Sequence, residues 1–247
     1  MIRARRTKGF TIVELSLAMT FVSMLLLAIA MTAIQAGSLY NKGLVLESVN
    51  QAGRDIGDML RRDFMQANAV RISKGDDPSS AVIWLKKGGQ LYSGRVCLGG
   101  YSYLWNAPAV LNGKVSSDES TPVVRRSGKL VNFVRVVDEG GILCTSVDRA
   151  QPTVINPSVP LVGLLDDKGN KGVVLAIHSL DVRALIYRED NAEAIYGINY
   201  TIGTSETDEM NGVINTADQS CKPPSDSASN NEFCAINQFE MIVRTNG

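Results

Sequence analysis

Histidine is nearly absent from this 247-residue chain: the one copy, His178, lies in an apolar, strand-like run. A lone histidine there reads as a packed or edge residue rather than a general base. Neither a phosphate-binding glycine loop, nor a zincin helix, nor a nucleophile elbow is present, so no catalytic activity and no cofactor is expected. Net charge is lacking too, with 25 basic and 25 acidic residues, and without an overall basic field nucleic acid is a partner that charge does not support. The four cysteines include no Cys-x-x-Cys spacing of a zinc or thioredoxin-like site.

The most informative absence is local. From Phe10 to Ala36 the chain runs 27 residues with one charge, Glu14, and no proline. At about 1.5 Å per residue such a helix is roughly 40 Å long, enough to cross a hydrocarbon core of about 30 Å. Arg3, Arg5, Arg6 and Lys8 precede it with no acid among them. Basic residues before a span hold the N-terminus in the cytoplasm, so the chain beyond about Leu39 is expected across the membrane, where disulfides form. A secretory signal has a basic start too, but its apolar part is usually about 7–15 residues. A permanent signal anchor is the other reading, and neither accounts for Glu14. An acid inside a span is a functional hypothesis by default, against the plainer alternative that Glu14 reaches the headgroups from one turn inside.

The residues around it decide the balance. Lys8-Gly9-Phe10-Thr11-Ile12-Val13-Glu14 places a basic residue, glycine and phenylalanine ahead of a glutamate four positions on, directly before the apolar run. This pattern resembles the N-terminus of type IV pilin precursors. The resemblance implies cleavage between Gly9 and Phe10 by a prepilin peptidase, methylation of the new N-terminal Phe10 by the same enzyme, and retention of Glu14 as an assembly residue. Physically, cleavage would create an α-amino cation at Phe10, for which a buried Glu14 on a neighbouring subunit is a matched partner. The partners implied are other subunits through the N-terminal helix, the peptidase, an inner-membrane assembly platform, and the membrane itself before assembly. The location implied is the bacterial cytoplasmic membrane, N-terminus inside, and then a surface filament.

The helix is expected to continue. Val45, Val49, Ala52, Ile56, Leu60, Phe64, Ala67 and Val70 recur at three- and four-residue steps, while Glu47, Arg54, Asp55, Asp58, Arg61 and Arg62 occupy mostly other faces. Gly37, Gly43, Gly53 and Gly57 each weaken a helix by about 1 kcal/mol relative to alanine, which predicts a kink or melting around Gly37 to Gly43. After about Ser73 the texture turns β-rich: Ala81 to Leu85, Arg95 to Leu98, Tyr101 to Trp105, Leu130 to Val137, Val173 to Ile177, Val182 to Tyr187, Ala194 to Ile202 and Phe239 to Arg244. Strands after one long helix, without βα alternation, predict an α+β, pilin-like fold with the helix on an antiparallel head. The organisation expected is a leader at 1–9, a membrane and filament-core helix at 10–36, its amphipathic continuation at 37–73 and a β-rich head at 74–247.

Cys97, Cys144, Cys221 and Cys234 allow three pairings. Local pairing is the expectation: Cys221 with Cys234 closes a loop of prolines, serines and asparagines that buries little and gains most from a staple, and Cys97 with Cys144 follows. Such a C-terminal loop also resembles the variable loop of many pilins. Asp166, Asp167 and Asn170, or Glu206, Asp208 and Glu209, are candidate calcium loops, weighed against solvated turns. Tyr101, Tyr103 and Trp105 near Arg95 form a base- or sugar-stacking candidate, weighed against a core face. Asn199-Tyr200-Thr201 fits a glycosylation acceptor by pattern alone and is discounted inside a strand. Within the pilin family, size and the proline-free helix favour a minor pilin or a large pseudopilin over a shaft subunit, and the lack of a convincing calcium loop together with two expected disulfides favours the minor pilin, in pilus assembly or at the tip. A large pseudopilin of a type II secretion system is the second reading, and an uncleaved signal-anchored receptor or enzyme the third.

Overall fold

The computed structural model describes residues 9, 11–72, 80–118, 120–145, 150–165, 174–187, 194–205, 214–215, 220–222 and 233–245. Its dominant element is α1 (Ile12–Gln66). Two units divide the chain, Met1–Asn41 and Lys42–Gly247. In the first, all described residues from Ile12 to Tyr40 leave the protein interior empty: Leu15, Leu17, Phe21, Leu26 and Ile34 are each more than half exposed. Its hydroxyls turn inward on the backbone, with Ser16, Thr20, Ser23 and Thr32 each donating to a carbonyl three or four residues back. These four hydroxyls are thus satisfied within the helix itself.

The second unit is a head. Its strands and short helices are, in chain order, β1 (Val82–Lys87), β2 (Gln90–Cys97), β3 (Tyr101–Asn106), α2 (Pro108–Leu111), β4 (Val124–Arg126), β5 (Lys129–Leu130), β6 (Phe133–Val137), α3 (Ile142–Thr145), β7 (Thr153–Ile155), β8 (Leu161–Gly163), β9 (Leu175–Tyr187), β10 (Ala194–Thr204), β11 (Ile214–Asn215), β12 (Ser220–Cys221) and β13 (Ile236–Arg244). A five-stranded antiparallel sheet has the order β1-β2-β3-β6-β8, and a three-stranded antiparallel sheet the order β13-β10-β9. The apolar stripe of α1 packs against both: Val45, Val49, Ile56, Leu60 and Phe64 share one core with Val96, Tyr103, Trp105 and Phe133 of one sheet and Tyr196, Ile198, Tyr200 and Val243 of the other. Each such buried side chain contributes about 1.5–3 kcal/mol. The fold is α+β, with one long N-terminal helix on antiparallel sheets.

The opposite face of the larger sheet is covered as well. Leu104, Val134 and Val136 pack there with Val124 and Ile155 of a small β5-β4-β7 sheet. In that sheet β4 and β7 run parallel, which departs from the all-antiparallel expectation. These strands are three residues long or fewer, too short for an alternating pattern to register. The runs expected at Val173–Ile177 and Val182–Tyr187 meet in one strand, β9, from Leu175 to Tyr187 and paired along its length with β10; Val173 lies outside the described residues. Leu130–Val137 divides into β5 and β6, because Asn132 between them sends its amide to the Leu175 carbonyl (2.6 Å).

Two helical expectations need correcting. Of the kink or melting expected around Gly37 to Gly43, melting does not occur: the hydrogen-bonded helix passes through both glycines without interruption. A glycine costs about 1 kcal/mol in a nucleated helix, whereas a break orphans several backbone groups. The helix also ends at Gln66 rather than near Ser73, since the Tyr196 hydroxyl takes Val70 N–H (2.8 Å) and donates to Val70 C=O (2.7 Å), so tertiary contacts claim the backbone that a further turn would use.

Gly53 and Gly57 have a positive role. A Cβ on Gly53 would lie 2.0 Å from the Phe239 ring, and one on Gly57 would lie 2.6 Å from the Tyr200 hydroxyl. Phe239 stacks on Tyr200 with centroids 5.2 Å apart, and the Tyr200 hydroxyl donates to Gly53 C=O at 2.7 Å. The two glycines form a notch that brings helix and smaller sheet into contact. Gly53→Ala is expected to destabilise the head by about 1–3 kcal/mol through overpacking, read as a lowered midpoint in denaturant unfolding of the full chain; Gly43→Ala, with open space at its Cβ position, is the control and is expected to leave the midpoint unchanged or raise it through helix propensity.

Candidate functional site

The candidate site is the start of α1. Gly9 is exposed and non-helical, Phe10 lies outside the described residues, and the helix begins at Ile12. Thr11 N–H donates to Glu14 Oε2 (3.0 Å), the Thr11 hydroxyl donates to the same oxygen (3.0 Å), and Glu14 N–H donates to Thr11 Oγ1 (3.3 Å). This is a reciprocal capping box, with Thr11 at the N-cap and Glu14 at the third helical position. In addition to satisfying two orphan N–H groups, the carboxylate sits at the positive end of the helix dipole. Sequence reading singled out Glu14 and passed over Thr11, although the Thr-x-x-Glu spacing was there to find it. Among the described residues α1 is the one helix long and apolar enough to cross a membrane, which makes its first half a candidate span or signal anchor.

The head holds four further sequence candidates. Cys97 is bonded to Cys144, tying β2 to α3, and Cys221 is bonded to Cys234. The aromatic candidates lie in the core: Tyr103 and Trp105 are buried, Trp105 meets Trp84 and Phe133 edge-on at 5.5 and 6.0 Å, and Tyr101 is partly buried. Arg95 is not their companion. Its register partner is Leu104, which puts it on the opposite face, buried, with Nη1 on Leu143 C=O and Nη2 on Thr153 Oγ1. His178 is partly buried, its Nε2 3.2 Å from Thr204 C=O, and burial lowers its pKa more than that contact raises it. Asn199, Tyr200 and Thr201 are central in β10, with Tyr200 buried. Asp166, Asp167, Asn170, Glu206, Asp208 and Glu209 lie outside the described residues. Among the described residues no group of three acids, histidines or cysteines could hold a metal ion.

Sequence reading missed the head's main polar junction. Asp63 lies on the buried side of α1, and both its oxygens accept from Arg135 of β6, at 2.5 Å from Nε and 2.8 Å from Nη2. The Tyr103 hydroxyl donates to the same carboxylate at 2.6 Å, and the Arg135 guanidinium lies 3.5 Å over the Tyr101 ring. Burial, then the bond to Asp63, drives the Tyr103 pKa far up, and the bond to Asp63 raises that of Arg135. The signal available was a lone acid, Asp63, between Leu60 and Phe64 of the apolar stripe. The junction is architectural: it joins the helix to the larger sheet.

No family model, curated protein or solved structure matches the chain.

Asp63→Asn leaves Arg135 without its counter-charge, and about 3 kcal/mol of stability should be lost, the low end for a buried pair because the Arg135 side chain is 19% exposed; comparing denaturant midpoints of the two proteins checks it. A pH limit follows from Tyr200, pushed up to about 12 by burial and then by Asp58. The unfolded tyrosine ionises near pH 10 while the folded one keeps its proton, so stability present below pH 10 falls as pH rises toward 12. Tyrosine ultraviolet absorbance during alkaline titration should show ionisation and unfolding together in that window, with a shallower loss in Tyr200→Phe.

Proposed function

We propose that the chain is a type IV pilin-like precursor: a structural subunit, not a catalyst, whose apolar helix rests in the membrane before assembly and packs among the helices of other subunits afterwards. One observation carries the reading. An apolar helix with no cover of its own, about 45 Å from Ile12 to Asn41 by rise per residue, begins at a Thr11–Glu14 capping box whose Thr11 directly follows Lys8-Gly9-Phe10 in the sequence. So much apolar surface needs lipid or other helices around it, and a carboxylate held at the helix mouth is available to a cation from a neighbour.

In this reading a prepilin peptidase cuts between Gly9 and Phe10 and methylates Phe10, an inner-membrane platform adds the subunit to a growing filament, and the head is displayed at the cell surface. Exposed, non-helical backbone at Gly9 supports the cleavage step, because a peptidase needs an extended segment. A head of more than 170 residues held by two disulfides favours a minor pilin acting in assembly or at the tip.

The test is mass spectrometry of the intact protein and its N-terminal peptide from native membranes or sheared filaments. A chain starting at methylated Phe10 is expected; one still starting at Met1, in cells whose other pilins are processed, would overturn the reading. Glu14→Leu should leave cleavage intact and lower the fraction recovered in filaments by about tenfold or more, as expected when an amino cation loses its partner in an apolar bundle.

A further inference from the structure

Charge in the head is segregated. Between Val82 and Val137 stand eight cations against two acids, Asp118 and Glu119, although the chain as a whole is neutral. Arg95 is buried and Arg135 is paired with Asp63; the other six are Lys86, Lys87, Lys114, Arg125, Arg126 and Lys129, with Arg125 donating to Gly128 C=O and Arg126 to Pro157 C=O. The fold gathers them. Leu91, Tyr92, Val115 and Leu130 pack on one small apolar cluster around Val110 and Val123. Lys86 is the cross-strand partner of Leu91, Arg125 that of Leu130 and Arg126 that of Lys129, while Lys114 adjoins Val115. Lys87 Nζ reaches Ser120 C=O at 2.6 Å and Arg125 reaches Ser117 C=O, drawing the β1–β2 turn, the loop after α2 and the β4–β5 turn together. Lys86, Lys87, Lys114 and Lys129 are exposed.

The position of this pole within the head follows from hydrogen bonds. Tyr196 binds Val70 and Tyr200 binds Gly53, so β10 runs toward the Lys42 end of α1 as it goes from Ala194 to Thr204. Leu175, opposite Thr204, accepts from Asn132, whose carbonyl accepts from Asn106 N–H, and these mark the same end of both sheets. The β1–β2 turn extends beyond Asn106 in that direction, because β2 pairs with β3 only from Ser93 onward. The basic pole therefore lies at the Lys42 end of the head.

We infer that this pole is a landing surface for anionic lipid headgroups of the bilayer that holds the apolar helix. Long lysine side chains on a shallow apolar floor suit a headgroup layer, since their stems cover apolar surface while the ammonium groups reach phosphate. Contact of this kind is electrostatic, and salt weakens it. The inference rests on the membrane-span part of the proposed function.

The experiment is hydrogen exchange, read by mass spectrometry, on the full chain reconstituted in vesicles of phosphatidylcholine alone or with phosphatidylglycerol. Exchange in 86–92 and 113–130 should slow about fivefold with the anionic lipid, with β10 unchanged. The slowing should vanish at about 1 M salt, where the Debye length is about 3 Å, and in a Lys86→Gln, Lys87→Gln, Lys129→Gln variant, but persist with arginine at the three positions. Equal exchange in both vesicles, with the chain floating in each, overturns the landing surface and leaves the span intact. Slowing by an added oligonucleotide, with none from the anionic lipid, overturns it in favour of nucleic acid. A chain that floats with neither vesicle removes the span and the landing surface together.

Discussion

A buried carboxylate on the inner face of α1 ties the head together. Asp63 takes both donors of the Arg135 fork and the Tyr103 hydroxyl, while the Tyr101 ring covers the guanidinium. Apolar packing alone tolerates sliding of a helix along a sheet, but a bidentate pair in low dielectric has one acceptable register. Once Asp63 meets Arg135, the order of Val49, Ile56, Leu60 and Phe64 over the sheets follows. Lesser pins agree with that register: Tyr200 to Gly53, Tyr196 to Val70, and Asn237 to Asn50.

The same helix serves two surroundings by different means. Its first half turns Ser16, Thr20, Ser23 and Thr32 onto its own carbonyls and presents mainly apolar side chains, as suits a helix in lipid or a helical bundle. Its second half alternates an apolar stripe with exposed charge and adds a glycine notch where the smaller sheet comes close. At the far N-terminal end the capping box gives Glu14 a local role that engages only one of its oxygens, through Thr11. A carboxylate kept in place and half-satisfied is ready for a further donor.

Much of the architecture was legible because it depends on periodicity. The apolar stripe from Val45 to Phe64, the strands now seen as β1, β2, β3, β6, β9, β10 and β13, and the change of texture after the helix all register as local patterns. What was not legible had one of two physical causes. The strands β4, β7 and β8 are too short to alternate, and their existence depends on a sheet already being there to pair with. The polar partnerships of Asp63 and Arg95 involve residues far apart in the chain, so side-chain type gave no hint of partner; Arg95 seemed to belong with the aromatics by proximity in sequence, and strand alternation put it on the other face.

By itself the sequence determined the apolar span, its single acid, the amphipathic continuation and the α+β order, since each follows from hydropathy and spacing along one segment. The tertiary structure alone decided where the helix stops, which face each sheet offers to it, why Gly53 and Gly57 lack side chains, and how scattered lysines and arginines become one basic pole. Those depend on distances between segments, and only the closing of the core brings the segments together.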